Sequence, residues 1–475
     1  MRQGRYRRKI NDFSGGLQAF TSPLWSADNE SPFIKNADIR KPGILSKALG
    51  YSQIGSTGSG GAMLGMATFE NENGTNTLYK KHLTQLYRYN GSAWASVATG
   101  LASGDMMEGV NAYMDNSDRL YFALGHTDTV RYTGDAGSSS AIANTYAKYI
   151  EQFNGRLYLG NVKVSSTTYP HRVLFSAVGA DTFDTATDYF DDIGLPITAL
   201  RTYAGALYVF TENSIGAYDG YALRRLPVAS GTTSARSVLD VDGRLMWYNR
   251  AGVYVYGGSG LPQLVSRQVQ PWIEAVSAPT SVAAGLDANG RYCLWIGDVT
   301  VDGTAYSDVV LRYDPLINAW DVLVDRPFSI WTRVKSGGSY VAYAGDPDND
   351  KVWVVDSGTS LNGSAIASEY QTAWLGAGED PEDVKNFYKV YVTFEPTGEA
   401  EYLTLQYRTD GASSWSSVGG TANNIDLSGS ESIETVEIDL PANTQGRYVQ
   451  FRITHSSDTA GFIIYELGFE YDNIG

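Results

Sequence analysis

The chain has 475 residues, enough for two or three domains and a large buried core. Its 36 Lys and Arg stand against 52 Asp and Glu, a formal net charge of −16 that excludes broad electrostatic attraction to nucleic acid or an anionic membrane. A single cysteine, Cys293, excludes an internal disulfide and a cysteine-based zinc site, and its run Tyr292-Cys293-Leu294-Trp295-Ile296 reads as core.

The first nine residues include Arg2, Arg5, Arg7, Arg8 and Lys9, with no apolar stretch after them of the kind a secretion signal carries. Such a basic start is either a solvated terminus or an arm that docks on an acidic neighbour or phosphate. Residues 1–61 read as an extended arm, because Asp12-Phe13-Ser14-Gly15-Gly16-Leu17, Ser22-Pro23, Asn29-Glu30-Ser31-Pro32 and Arg40-Lys41-Pro42-Gly43 bring turns too often for long elements. Phe13, Phe20, Leu24, Trp25, Phe33 and Ile34 punctuate this arm and must bury against something, either its own chain or a neighbour. If the surface belongs to a neighbour, deletion of residues 1–45 leaves a folded remainder that no longer assembles. Ser56 to Gly61 reads as the linker into the next unit.

From residue 62 to 373 a two-part signature recurs. An aliphatic-aromatic pair follows a polar turn at Leu78-Tyr79, Leu120-Tyr121, Leu157-Tyr158, Leu207-Tyr208, Leu245-Met246, Tyr292-Cys293 and Val352-Trp353. An aromatic turn comes later in several units, at Tyr89-Asn90-Gly91, Tyr132-Thr133-Gly134, Tyr218-Asp219-Gly220 and Tyr256-Gly257-Gly258. Short-strand units repeating at roughly 37 to 60 residues predict a β-propeller of six or seven blades. Asn154-Gly155, Asp242-Gly243 and Asn289-Gly290 supply the hairpin turns. Trp272 to Val276 is the best helix candidate.

Longer strands follow over residues 374–475, at Lys385 to Glu395, Tyr402 to Arg408, Arg447 to Thr454 and Phe462 to Leu467. Val449, Phe451 and Ile453 alternate with Tyr448, Gln450 and Arg452, the period of a half-buried strand, so this region predicts a C-terminal β-sandwich. It is also the acidic part, with 17 acidic and 5 basic residues from Ala373 onward.

No catalytic, cofactor-binding or metal-ligating residue is nominated. His82, His126, His171 and His455 are dispersed, and no nucleophile elbow, Walker loop or dinucleotide fingerprint occurs. Asp346-Pro347-Asp348-Asn349-Asp350 begins like a calcium loop, but Lys351 stands where glycine is wanted and Ser357 where the bidentate Glu belongs, so a polar hairpin turn is expected. Asp181, Asp184, Asp188, Asp191 and Asp192 have the chemistry to hold a cation, but a solvated loop is the expected reading. Thr409-Asp410-Gly411 with Trp415 is similar to the Asp-box turn of sialidase-type propellers, but it occurs once, outside the repeats, with Ala412 where that turn has glycine.

The arm motifs from Asn11-Asp12-Phe13 to Arg40-Lys41-Pro42-Gly43, with Ile197-Thr198-Ala199-Leu200, Leu207 to Phe210 and Ile215 to Tyr218, resemble the tail nozzle and tail-tube-end proteins of short-tailed bacteriophages. Val390 to Glu395 with Tyr407 to Gly411 and Trp415 resembles their distal domain. The resemblance implies a structural, non-enzymatic virion protein assembled in the host bacterial cytoplasm. It implies a homo-oligomeric, usually hexameric ring that continues the DNA-ejection channel below portal and adaptor and supports fibres or spikes, with DNA in transit and no cofactor. A net acidic chain suits a channel through which DNA slides. The alternative is a glycan-binding or sialidase-like propeller at a tail tip, marked by a central pocket with clustered Arg, Glu and Trp.

Overall fold

The computed structural model describes residues 5–41, 43–55, 60–74, 76–134, 138–376, 383–410, 412–430 and 432–474. Arg2, Pro42, Gly411 and most of the Ser56–Gly61 linker lie outside them.

The chain is nearly all β, and the described residues contain seven four-stranded antiparallel sheets in succession. The first runs from Met63–Glu70 to Trp94–Ala98, the second from Glu108–Met114 to Ser139–Ala141, and the third from Tyr146–Phe153 to Tyr189–Phe190. The fourth spans Ile197–Tyr203 to Leu223–Arg225, the fifth Leu239–Val241 to Gln263–Leu264, and the sixth Ala283–Leu286 to Ala319–Leu323. The seventh takes Ile330–Ser336, Ser339–Gly345 and Val352–Val355 from this region and its fourth strand, Tyr51–Ile54, from the N-terminal segment.

The first strands of successive sheets touch in order. Around the fifth sheet the contact passes through the short turn Ala235–Ser237, and Ile330–Ser336 packs back on Met63–Glu70. Thr68 and Thr332 hydroxyls hydrogen-bond at 2.9 Å across that closing seam. The ring of sheets is the β-propeller that the repeats predict.

The repeat residues occupy one structural place. Leu78, Leu120, Leu157, Leu207, Leu245 and Tyr292 sit on second strands, each buried and each facing a first-strand residue: Thr68, Asn111, Gln152, Thr202, Asp240 and Leu286. Val352-Trp353 departs from the set. It lies on the third strand of its sheet, paired with Gly345 and Ile54, because the seventh sheet borrows its outer strand and its own second strand, Ser339–Gly345, lacks the aliphatic-aromatic pair. Asn154 and Gly155 at φ 46° and 67°, and Asp242 and Gly243 at 51° and 69°, have the two positive angles that a type I′ hairpin turn requires. The aromatic turns close the third strand onto the fourth. Asp219 accepts backbone N–H bonds from Tyr221 and Ala222 at 2.9 Å, while the Tyr218 hydroxyl donates to Gly220 O. Leu207→Ala is expected to cost about 2 to 5 kcal/mol, since the side chain is wholly buried between two sheets; a denaturant titration checks it.

Apart from a short parallel pair of Gly16–Leu17 with Glu30–Ser31, the remaining strands form two larger sheets. In one, Lys385–Glu395 lies between Glu434–Gly446 and Ile463–Asn473; in the other, Tyr448–Ser457 lies between Tyr402–Thr409 and Ile366–Gln371. They share one core, with the Phe451 and Phe469 rings 5.7 Å apart. Ile366–Gln371 joins this pair of sheets one strand before the change of texture near Ala373. Val449, Phe451 and Ile453 face inward as expected, but Gln450 is also fully buried. Its amide donates to Thr372 O at 2.6 Å and accepts from Arg408 Nε at 2.7 Å, so the polar group is satisfied inside.

The N-terminal segment lies on its own chain. Tyr6–Ile10 pairs with Ile463–Asn473, Phe33–Lys35 with Ile366–Gln371, and Leu45–Lys47 with both Ala37–Asp38 and Ile463-Ile464. The basic start docks there: Arg5 and Glu470 lie 3.5 Å apart and Lys9 and Glu466 2.8 Å apart, while Arg7 stacks 3.8 Å over Tyr391. Gly16, at φ 75°, lets the backbone pass where a Cβ would lie 2.8 Å from the Ala319 side chain. Buried Asn36 joins three parts. Its N–H donates to Val322 O, its side chain donates to Ala367 O and accepts from Val324 N, and its O accepts from the Ser368 hydroxyl. A short helix occurs at Gln270–Glu274, two residues earlier than Trp272 to Val276, with Pro271 in its first turn.

Candidate functional site

The sites weighed in the sequence resolve into local structure. Asp346 accepts N–H bonds from Asp348 and Asn349 at 2.9 Å, a self-closed turn between two strands of the seventh sheet. Asp181 is held by Arg119 at 2.7 Å and Asp191 by Arg172 at 2.9 Å, so that acidic run is divided between separate ion pairs. Among the described residues no three His, Cys, Asp or Glu side chains are grouped to hold a metal ion. His82 and His126 each bond a backbone carbonyl, of Gly61 at 3.0 Å and of Asn161 at 2.7 Å. His455 is buried against Phe462, and burial followed by the Lys47 charge brings its imidazole down to about 4. Asp410 accepts from Arg447 N and Tyr448 N, capping the start of the paired strand Tyr448–Ser457. Trp415 is stacked by Arg408 at 4.4 Å and Arg452 at 4.9 Å. Cys293 is buried in the core.

The chemistry that converges lies elsewhere, at the centre of the ring, where the first strands surround a polar cavity of about 520 Å³. Propeller first strands run side by side around the axis, so residues from distant units come within reach of one another. At the deeper level Glu108 of the second sheet, Tyr149 of the third and Arg236 of the turn before the fifth face one another. Arg236 reaches across to donate to Ser329 O at 3.1 Å, narrowing the axis there. Burial pushes the Glu108 carboxyl up to about 8 against the pull of Arg201 and Arg236. Burial likewise raises the Tyr149 hydroxyl and lowers the Arg236 guanidinium.

Nearer the mouth, Glu151 and Arg201 form an ion pair at 3.6 Å, and Glu151 also accepts the Gln152 N–H at 3.0 Å. Burial raises Glu151 despite Arg201. Arg333, on the seventh sheet, stacks 4.3 Å over Tyr340 and makes no ion pair with any described carboxylate. Trp331 lines the cavity and packs on Gly285, where an added Cβ would fall 2.2 Å from its Cβ and Cγ. Its indole N–H is buried without an acceptor among the described residues.

None of these residues was nominated from the sequence. The one signal was positional: Glu151 and Arg201 both stand six residues ahead of a repeat leucine, Leu157 and Leu207.

The sheets and their central cavity define the class: a β-propeller with two further sheets built from both ends of the described chain. No protein-family model and no curated protein matches the sequence. Among solved structures, the extracellular domain of a putative hybrid two-component system from B. thetaiotaomicron is similar at 12% identity and TM-score 0.44, over 78% of this chain and 47% of that one. A second structure, of the extracellular domain of a putative one-component system from B. thetaiotaomicron, gives 12% and 0.44, over 92% and 64%. The chain therefore spans less than two thirds of either. The Neurospora crassa Pan2 WD40 domain gives 9% and 0.40, over 66% of this chain and 97% of that one. At such TM-scores the fold rests on the sheets themselves. Among the described residues no helix is long and apolar enough to cross a membrane.

Proposed function

We propose that the chain is a structural protein of a bacteriophage tail. In this reading it is a subunit of a homo-oligomeric, hexameric nozzle ring that extends the DNA-ejection channel below portal and adaptor and supports fibres or spikes. It has no catalytic role or cofactor, assembles in the host bacterial cytoplasm, and acts in the virion. The seven sheets are its seven blades, closed by Tyr51–Ile54, and the two larger sheets are its β-sandwich.

The observation that carries the assembly is the turn between Leu17 and Glu30. Phe13 and Leu17 before it are wholly buried, yet Phe20, Leu24 and Trp25 are 55%, 53% and 84% exposed. Three large apolar side chains held outward on one short turn suit a contact that another subunit completes. The net charge of −16 supports passage of DNA without retention.

The test is the mass of the purified protein at micromolar concentration, with negative-stain images. Rings of about six chains are expected, and Leu24→Ser with Trp25→Ser should yield monomers that melt as the parent does. A parent protein that is monomeric throughout sinks the proposal.

A further inference from the structure

The sheet that holds Tyr6–Ile10 ends in two strand edges of opposite charge. Four of its strands run in the order Glu434–Gly446, Lys385–Glu395, Ile463–Asn473, Tyr6–Ile10, each antiparallel to the next. Among the described residues no further backbone group bonds to the outer side of the first or the last. Such an edge offers its N–H and C=O groups to any strand of matching pattern.

Charge alternates across the solvent face of these strands. One cross-strand row reads Asp439, Lys389, Glu470, Arg7, negative and positive in turn. The neighbouring row on that face begins at one edge with Glu437 and ends at the other with Lys9. On the inward face the rows are Ile438, Val390, Phe469, Arg8 and Val436, Val392, Leu467, Ile10, and Val436 and Ile438 stay half-buried at their edge.

Resting on the subunit-ring reading, we propose that these two edges are the joint between copies: Tyr6–Ile10 of one subunit adds antiparallel to residues 434–440 of the next, so that one sheet runs from chain to chain. Continuing the rows sets Arg7 beside Asp439 of the next subunit and Lys9 beside its Glu437, opposite charges in directly facing positions. The same register covers Val436 and Ile438 with Ile10 and the stem of Arg8. Two like edges cannot pair so well, since one would bring Arg7 and Lys9 against their own copies and the other Glu437 and Asp439. Charge therefore selects a head-to-tail contact over a two-fold dimer, and a head-to-tail contact makes a ring when its rotation closes. Arg8 also pairs with Asp28, which ties the exposed turn carrying Trp25 to this edge.

Cross-linking of the whole chain decides the matter. Lys9→Cys and Glu437→Cys each replace one exposed side chain, and the native Cys293 is buried away from reagent. With a short bismaleimide, co-expressed copies of the two variants are expected to give cross-linked dimers, and either variant alone none. Glu437→Lys with Asp439→Lys should melt as the parent does, because both side chains lie in solvent, and should shift the purified protein from rings to monomers. If that variant does not fold, the cysteine pair gives the answer alone. Rings that persist in the lysine variant, cross-links within one cysteine variant, or mixed rings without cross-links overturn the edge joint and leave the subunit ring standing. A monomeric parent sinks both, whereas rings of another subunit number that the lysine variant abolishes support the joint and sink only the hexamer.

Discussion

Removing residues 1–45 is expected to leave a chain that does not reach a soluble folded state. The deletion takes Tyr6–Ile10 and Leu45 from one large sheet and Phe33–Lys35 from the other, and strips Ile10, Phe13, Leu17, Ile34 and Ile39 from their shared core. Fully burying an aliphatic or aromatic side chain contributes about 1.5 to 3 kcal/mol, so the large apolar residues lost here together approach or exceed the roughly 5 to 15 kcal/mol that holds a domain folded. The loss also exposes Ile366–Gln371 as an edge and leaves Val322 and Val324 without Asn36. A soluble-fraction assay and limited proteolysis provide the measurement. A truncated chain that stays soluble and melts like the parent would show that these strands are dispensable. The outcome opposes the expectation, drawn for an arm resting on a neighbour, of a folded remainder that merely fails to assemble.

Arg312→Met is expected to cost about 3 to 5 kcal/mol, measured by denaturant titration. Arg312 is fully buried, with Nε and Nη2 donating to the two carboxylate oxygens of Asp321 at 2.9 Å and Nη2 lying 3.3 Å from Asp38. Arg291 reaches the same Asp38 at 2.6 Å, so the N-terminal segment is tied to the sixth sheet by a network of charge inside the protein. Methionine fills similar space but leaves Asp321 buried without its partner, which is the costly half of breaking such a pair. The double variant Arg312→Met with Asp321→Leu should recover part of the loss. A single variant as stable as the parent would remove the network from the account of stability. Burial alone would raise the Asp38 carboxyl, yet Arg312 and Arg291 hold it well below the usual carboxylate range. Its contribution is therefore complete above the unfolded value of about 3.9 and is lost as pH falls through the lower folded one.

The repeats were legible because second strands carry an apolar pair between turns of fixed chemistry. Leu207 announces itself between Asn-, Asp- and Gly-bearing turns, and its environment is the one its type demands. Val352-Trp353 shows the limit, since the same dipeptide pattern serves a third strand when the outer strand comes from far away in sequence. The N-terminal strands are two to five residues long, too short for alternation to register, and the partners of Tyr6–Ile10 lie more than 400 residues on. Glu434–Gly446 was missed because its outer face is solvated and its sequence is polar, with Pro441 inside it. Glu108, Glu151, Arg201, Arg236 and Arg333 come from five places around the ring, so no spacing along the chain could group them. Closure of the ring is what does so.

The pairing of Tyr6–Ile10 with Ile463–Asn473 has a consequence for the chain as it is made. The first strand leaves the ribosome while its partner is still unwritten, and at ~5 to 20 residues per second the wait is roughly 25 to 95 s. Throughout that time it is an unpaired strand of the kind that invites other chains to add to it. Arg5, Arg7, Arg8 and Lys9 give it a like charge that keeps nascent copies apart. Glu466 and Glu470 arrive with the last strand and pair with Arg5, Arg7 and Lys9 only when the right partner exists, whereas Arg8 pairs with Asp28 nearby in the chain. The basic start thus guards the growing chain first and fastens the finished one afterwards.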